Sequence, residues 1–114
     1  MATVVMLLAR GPGLPDGDLA YRLELIVPLT PQAALDEAAY GGAAWPARRV
    51  LPDRRELTAE LVREGAGWAL RGPAGEDEPL WGFEGRVFRP GEYVTLRRPG
   101  GDELIFRIVD VRID

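Results

Sequence analysis

The chain has 114 residues, 18 of them acidic and 14 basic, for a formal net charge of −4. Its length predicts one domain over residues 1–114, with a single modest core. Cysteine and histidine are both absent, which removes disulfide and thiol chemistry and the side chain that most often serves as a base near neutral pH.

Lysine, serine and asparagine are missing too, Gln32 is the lone glutamine, and all 14 basic residues are arginine. A bias toward Ala, Gly, Arg and Pro is what a GC-rich bacterial genome produces. Without Ser, Cys, Lys or His, the common catalytic nucleophiles and their bases cannot be assembled. A non-enzymatic chain is therefore expected, with no catalytic residue and no cofactor, and hydrolysis by paired carboxylates is the enzymatic alternative. The negative balance disfavours a dedicated nucleic-acid binder, which usually carries a basic face. No stretch of about 20 apolar residues exists to cross a membrane. Thr3–Ala9 is short and runs straight into Arg10, so it reads as a strand rather than a signal peptide, and a cytoplasmic location is the expectation.

Taken in order, residues 2–9 are apolar on both faces, the pattern of a central strand covered on both sides. "RGPGLPDGD" follows as a loop. In "YRLELIVPL", Tyr21, Leu23, Leu25 and Val27 alternate with Arg22 and Glu24. That is a half-buried strand ending at Pro28, which lacks a ladder donor. "TPQAALDEAAYGG" predicts a helix, with Thr30 as cap, Pro31 in the first turn and Gly41 as stop. "AAWPARRVLPDRR" has two prolines and no period, and reads as an irregular connection or an edge. "ELTAELVREGAGWALRG" fits helix or strand over residues 54–64, with the hairpin favoured by Trp68 and Leu70 beyond the Gly-rich turn. "PAGEDEP" reads as an exposed acidic loop.

The remainder is β. Phe83, Gly85 and Val87 alternate with charged neighbours, and Pro90-Gly91 and Pro99-Gly100-Gly101 mark turns. In the last strand Leu104, Phe106 and Ile108 share one face, whereas Val109, Val111 and Ile113 share the other. Such a phase switch predicts a β-bulge near Ile108, or burial on both sides. The pattern amounts to about seven short strands and one short helix. The fold class is mainly β and mostly antiparallel, a small β-barrel or β-roll of SH3 or OB size.

"FRPGEYVTL", residues 88–96, resembles the segment by which ferredoxin-reductase-like flavin barrels enter their second strand. That resemblance implies a later Arg-x-Tyr/Phe-Ser/Thr signature for the flavin phosphate. The following strand carries Arg107-Ile108-Val109-Asp110 instead, without the aromatic or the hydroxyl. The stretch therefore reads as a hairpin.

Candidate ligand-binding residues are Trp45, Arg48, Arg49, Arg54 and Arg55. Guanidinium forks bind phosphate bidentately, and an adjacent indole offers a stacking platform for a base. Asp53 sits inside this group, and the acidic loop Glu76-Asp77-Glu78 is a natural counter-charge. The carboxylate pairs Asp16 with Asp18 and Asp36 with Glu37 have the spacing of turn residues, not of an acid and base facing across a cleft, and no metal site is expected. Trp45, in a proline-flanked stretch, is the aromatic residue expected to be partly exposed. The leading reading is a protein-interaction module or small subunit, acting through a protein partner or its own oligomer and accepting another strand at an exposed edge. The alternative is a small barrel that binds nucleic acid or a phosphate ligand through the arginines.

Overall fold

Among the described residues eight strands run antiparallel in strict chain order, and the last closes on the first. The computed structural model describes residues 1–72 and 79–113. Its strands are β1 (Ala2–Arg10), β2 (Asp18–Val27), β3 (Trp45–Val50), β4 (Glu56–Glu64), β5 (Gly67–Arg71), β6 (Trp81–Glu84), β7 (Tyr93–Arg97) and β8 (Glu103–Ile113). The result is an up-and-down barrel, the arrangement that removes sheet edges by closure. The expected mainly β, antiparallel class is what is found. The Cα radius of gyration, 13.2 Å, matches the roughly 13 Å of a compact chain this long.

The period-two pattern explains the closure. Val4, Met6 and Leu8 from β1 point inward, as do Leu23, Leu25 and Val27 from β2, Leu61 from β4, and Leu104, Phe106 and Ile108 from β8; all are at most 2% exposed. A barrel of eight strands is just wide enough for side chains to fill it. Among the described residues no polar or charged residue is buried, so the interior is a dry core. Tyr21 meets Phe106 edge-on at 5.4 Å inside it. Ala47 lies opposite Ala59 between β3 and β4, small side chains that leave room for larger ones from other strands.

One irregularity falls where the sequence signals it, whereas the register shifts after Leu7 toward β2 and after Leu8 toward β8 carry no sequence signal. Val5 is paired with Asp110 but Met6 with Ile108, so Val109 is the extra residue of a bulge, at the phase switch read from the sequence. β2 ends at Val27, just before Pro28. Within residues 54–64, Glu56–Glu64 is strand, and β4 and β5 form a hairpin pairing Glu64 with Gly67. Turns close at Arg89–Glu92 and Arg98–Asp102, where Glu92 N–H donates to the Arg89 carbonyl (3.1 Å) and Gly101 N–H to that of Arg98 (2.8 Å).

Three expectations need correction. Residues 30–41 do not form a helix; only a single 3-10 turn, Glu37–Ala39, forms. Ten residues gain little from helix formation alone, and the barrel end offers more. Leu29 bridges to Leu35, whose side chain is buried in the core, and Ala33 (φ 64°) gives its carbonyl to the Phe88 N–H. Thr30 still caps, but it caps a turn: its hydroxyl accepts the Ala34 N–H at 3.2 Å. Second, "WPARRV" is not irregular or an edge but β3, paired on both sides. The β2–β3 pairing stops at Leu25 with Ala47, one residue short of Pro46, so the proline costs that ladder nothing. Third, β6 ends at Glu84 rather than running through Val87. Gly85 starts the departure, because a Cβ there would lie 2.8 Å from Val94 Cγ1 and 2.9 Å from Phe88 Cζ. The missing side chain lets Phe88 fold under the barrel, where it is 1% exposed. The expected acidic loop, Glu76-Asp77-Glu78, lies outside the described residues.

The two barrel ends therefore differ. One carries the loops 11–17, 51–55 and 98–102. The other is closed by the segments 28–44 and 85–92, which deliver Leu35 and Phe88 into the core.

Candidate functional site

The five sequence-nominated residues do not form one cluster. Neighbours on a strand point to opposite faces, and this separates Arg48 from Arg49. Arg48 lies on the outer wall opposite Glu24. Its guanidinium reaches both Glu24 carboxylate oxygens (3.1 and 3.0 Å) and Glu56 at 3.1 Å. The hydrogen bond to Glu24 and that carboxylate's charge raise its pKa. Arg22 approaches the same carboxylate at 2.9 Å. Similar pairs cross the rest of the wall, with Arg71 on Glu60 and Arg97 on both Glu84 and Glu103. Cross-strand pairs of this kind bring opposite charges together on one face, so these wall arginines are already engaged by carboxylates.

Arg55 is held by Asp53. The Arg55 N–H donates to Oδ1 at 3.0 Å and its Nε to Oδ2 at 2.7 Å. The backbone hydrogen bond first, and the guanidinium second, hold the Asp53 carboxyl below the usual carboxylate range. Arg54 sits at φ 73° in the same turn, its N–H donating to the Leu51 carbonyl.

Trp45 is not exposed: at 6% it belongs to the core. It stacks on Trp68 at 5.0 Å, and Tyr40 meets both rings edge-on at 5.1 and 5.4 Å. Arg63 caps this cluster, 4.9 Å from the Trp68 ring centroid and ion-paired to Glu37. Proline flanking suggested a loop, but the strand buries the indole.

Arg49 takes part in a different arrangement. It lies opposite Leu23 and Leu57 at the mouth of the barrel, with its guanidinium 4.4 Å from the centroid of Trp81. Arg98 approaches that ring at 5.9 Å. Two cations thus approach one half-buried indole, and Arg98 also lies 4.0 Å from the Asp102 carboxylate. Neither Trp81 nor Arg98 was nominated from the sequence, because it is barrel closure that brings the start of β6 and the β7–β8 turn to the same end as Arg49.

Of the carboxylate pairs, Asp16 lies in the β1–β2 loop and Asp18 opens β2, and Asp36 and Glu37 begin the 3-10 turn. Asp18 Oδ1 accepts the N–H of Ala20 (2.9 Å), and Glu37 is engaged by Arg63. No group of three or more potential metal ligands gathers among the described residues. No helix among them is long and apolar enough to cross a membrane.

The second notable surface lies at the seam between β7 and β8. β8 has 11 residues and β7 only 5, beginning at Tyr93 opposite Arg107. Ile108 donates its N–H to the Glu92 carbonyl and accepts from the Gly91 N–H, both at 2.8 Å, so both of its backbone groups face the β7 side. Antiparallel ladders alternate bonded and non-bonded pairs. Ile108 with Met6 is thus non-bonded toward β1, Asp110 with Val5 bonded, and Val111 with Val4 and Ile113 with Ala2 non-bonded. Val111 and Ile113 turn N–H and C=O toward a side where no strand pairs with them among the described residues.

Beside that edge lies a groove of about 460 Å³. Val111 and Ile113 form one bank, Phe88, Arg89 and Pro90 another, and Leu29, Pro31 and Ala33 line the end segment. Ile113 is 75% exposed and Val109 42%. A short open edge above an apolar trough has the shape that receives an extended chain. The sequence held the signal, a final alternation longer than the strand before it, but not which flank stayed open.

By architecture the described residues form a closed, side-chain-filled eight-stranded meander barrel, with a local open edge at the end of β8. Compared with protein-family models, curated proteins and solved structures, it matches none.

Proposed function

We propose that this chain is a non-enzymatic interaction module whose binding element is the open edge of β8, where an extended segment of a protein chain adds as a strand. The observation that carries the reading is the pair Val111 and Ile113, whose backbone groups face outward beside the Leu29–Phe88 groove. Main-chain bonds to these residues supply affinity, and the trough receives alternate side chains of the incoming segment. The test is affinity capture from a native lysate with wild type and Ile113→Pro. Proline removes an edge-facing donor without taking a bond from β1, so the barrel melt stays unchanged. A partner held by the wild type and lost from Ile113→Pro supports the reading; equal capture by both overturns it.

A second reading is supported by Arg49 and Arg98 over Trp81: a phosphate or single-stranded nucleic-acid contact at the barrel mouth. It calls for oligonucleotide binding that weakens steeply with salt and with Arg49→Ala.

A further inference from the structure

The exposed end of β8 reads Val109-Asp110-Val111-Arg112-Ile113, a segment whose charges are mirrored about Val111. Asp110 and Arg112 lie on the outer face, opposite Val5 and Thr3 of β1, and pair with each other at 3.3 Å. When this segment is laid antiparallel against a copy of itself in the register centred on Val111, the two valines are directly opposite. Asp110 of each strand then faces Arg112 of the other, twice over. Val109, the bulge residue, falls opposite Ile113 at the margin of the contact, with its side chain on the outer face.

We infer that the occupant of the β8 edge is a second copy of this chain, joined by antiparallel β8–β8 pairing about a two-fold axis at Val111. The inference rests on the strand-addition reading above and names its partner. Three observations converge. The backbone groups of Val111 face outward, as a bonded pair at a two-fold requires. Opposite charges fall directly across the junction, where like charges would destabilise it. The contact is also isologous, using the same patch on both copies, so it closes as a dimer and does not propagate. An unrelated acidic or basic segment would satisfy one of the two charges and oppose the other.

Sedimentation velocity over a concentration series, on wild type and three variants, tests this. Wild type sediments as a reversible dimer. Asp110→Arg places Arg against Arg twice and weakens the dimer by about tenfold or more. Asp110→Arg with Arg112→Asp reverses both charges and restores self-association to within about threefold of wild type. Ile113→Pro leaves the monomer folded, by its thermal melt, and weakens the dimer by a comparable factor. The charge variants change exposed side chains only, so they decide the matter even if the proline variant fails to fold.

A wild type that stays monomeric throughout overturns self-pairing, and so does a dimer indifferent to Asp110→Arg. The capture experiment separates this failure from failure of the edge itself. Loss of a different protein from Ile113→Pro keeps strand addition with another partner, whereas a monomer whose captured proteins are unchanged by that substitution removes both.

Discussion

Truncating Phe88 to alanine should destabilise the barrel more than any change to the arginine surface. Phe88 belongs to the loop 85–92, not to a strand, yet it is 1% exposed and stacks near Phe83 at 6.2 Å. Removing a buried phenylalanine costs about 3–5 kcal/mol, the lost transfer energy plus the cavity left behind. For 114 residues an unfolding entropy of roughly 2.1 cal/mol/K per residue gives about 4 °C per kcal/mol, hence a fall in Tm of ~12–20 °C. Urea melts followed by circular dichroism should show the midpoint falling with an unchanged slope. A loss below about 1 kcal/mol at constant slope, the range of an ordinary surface substitution, would refute the claim that this loop residue is part of the core. Gly85 offers an internal check. Gly85→Ala alone should cost about 1–3 kcal/mol, because the new methyl crowds Phe88 and Val94. In the Phe88→Ala background part of that crowding is gone. The double-mutant cycle should therefore show a coupling of about 0.5 kcal/mol or more, and simple additivity would contradict the contact.

Two further outcomes are expected. Gly17→Ala should be severely destabilising, by about 3 kcal/mol or more, since its Cβ would lie 2.2 Å from the Leu8 carbonyl oxygen at φ +75°. Gly13→Ala, at φ +73° in open space, should cost only about 1 kcal/mol; equal melts for the two would show that the backbone contact is absent. For Asp53, NMR titration should place the carboxyl below the usual carboxylate range. Its folded pKa is depressed, so its contribution is present above the unfolded value and is lost as pH falls through the folded one. Arg55→Ala should bring the midpoint only part of the way back, because the residue-55 N–H still donates to Oδ1; no change in that variant would remove the guanidinium from the explanation.

The strands with strict alternation were legible from residues alone. Tyr21, Leu23, Leu25 and Val27 had to share a face whatever they packed against, and Pro28 had to end their ladder. The bulge at Val109 was legible for the same reason, because an apolar set that changes phase needs an extra residue to keep facing inward. β3 was not legible. Its two arginines and Pro46 mask the inward Trp45 and Ala47, and only pairing on both flanks makes it a strand. The helix expected over 30–41 failed where local propensity met a better use of the same residues, closing the barrel end with Leu35 and receiving the Phe88 N–H. For the candidate sites, the arginines could be named in advance but not sorted. Strand alternation sent Arg48 to the carboxylates of the outer wall and Arg49 to Trp81.

Composition and the period of two by themselves determined a dry, mainly antiparallel β fold, since they depend only on which residues avoid water and how a strand displays them. Closure, the order of the strands and the short open edge of β8 were decided by the tertiary structure. Closure and order follow from ladders between distant segments, and the open edge from unequal strand lengths, since the β7 ladder ends at Tyr93 while β8 continues to Ile113; no local pattern contains these relations.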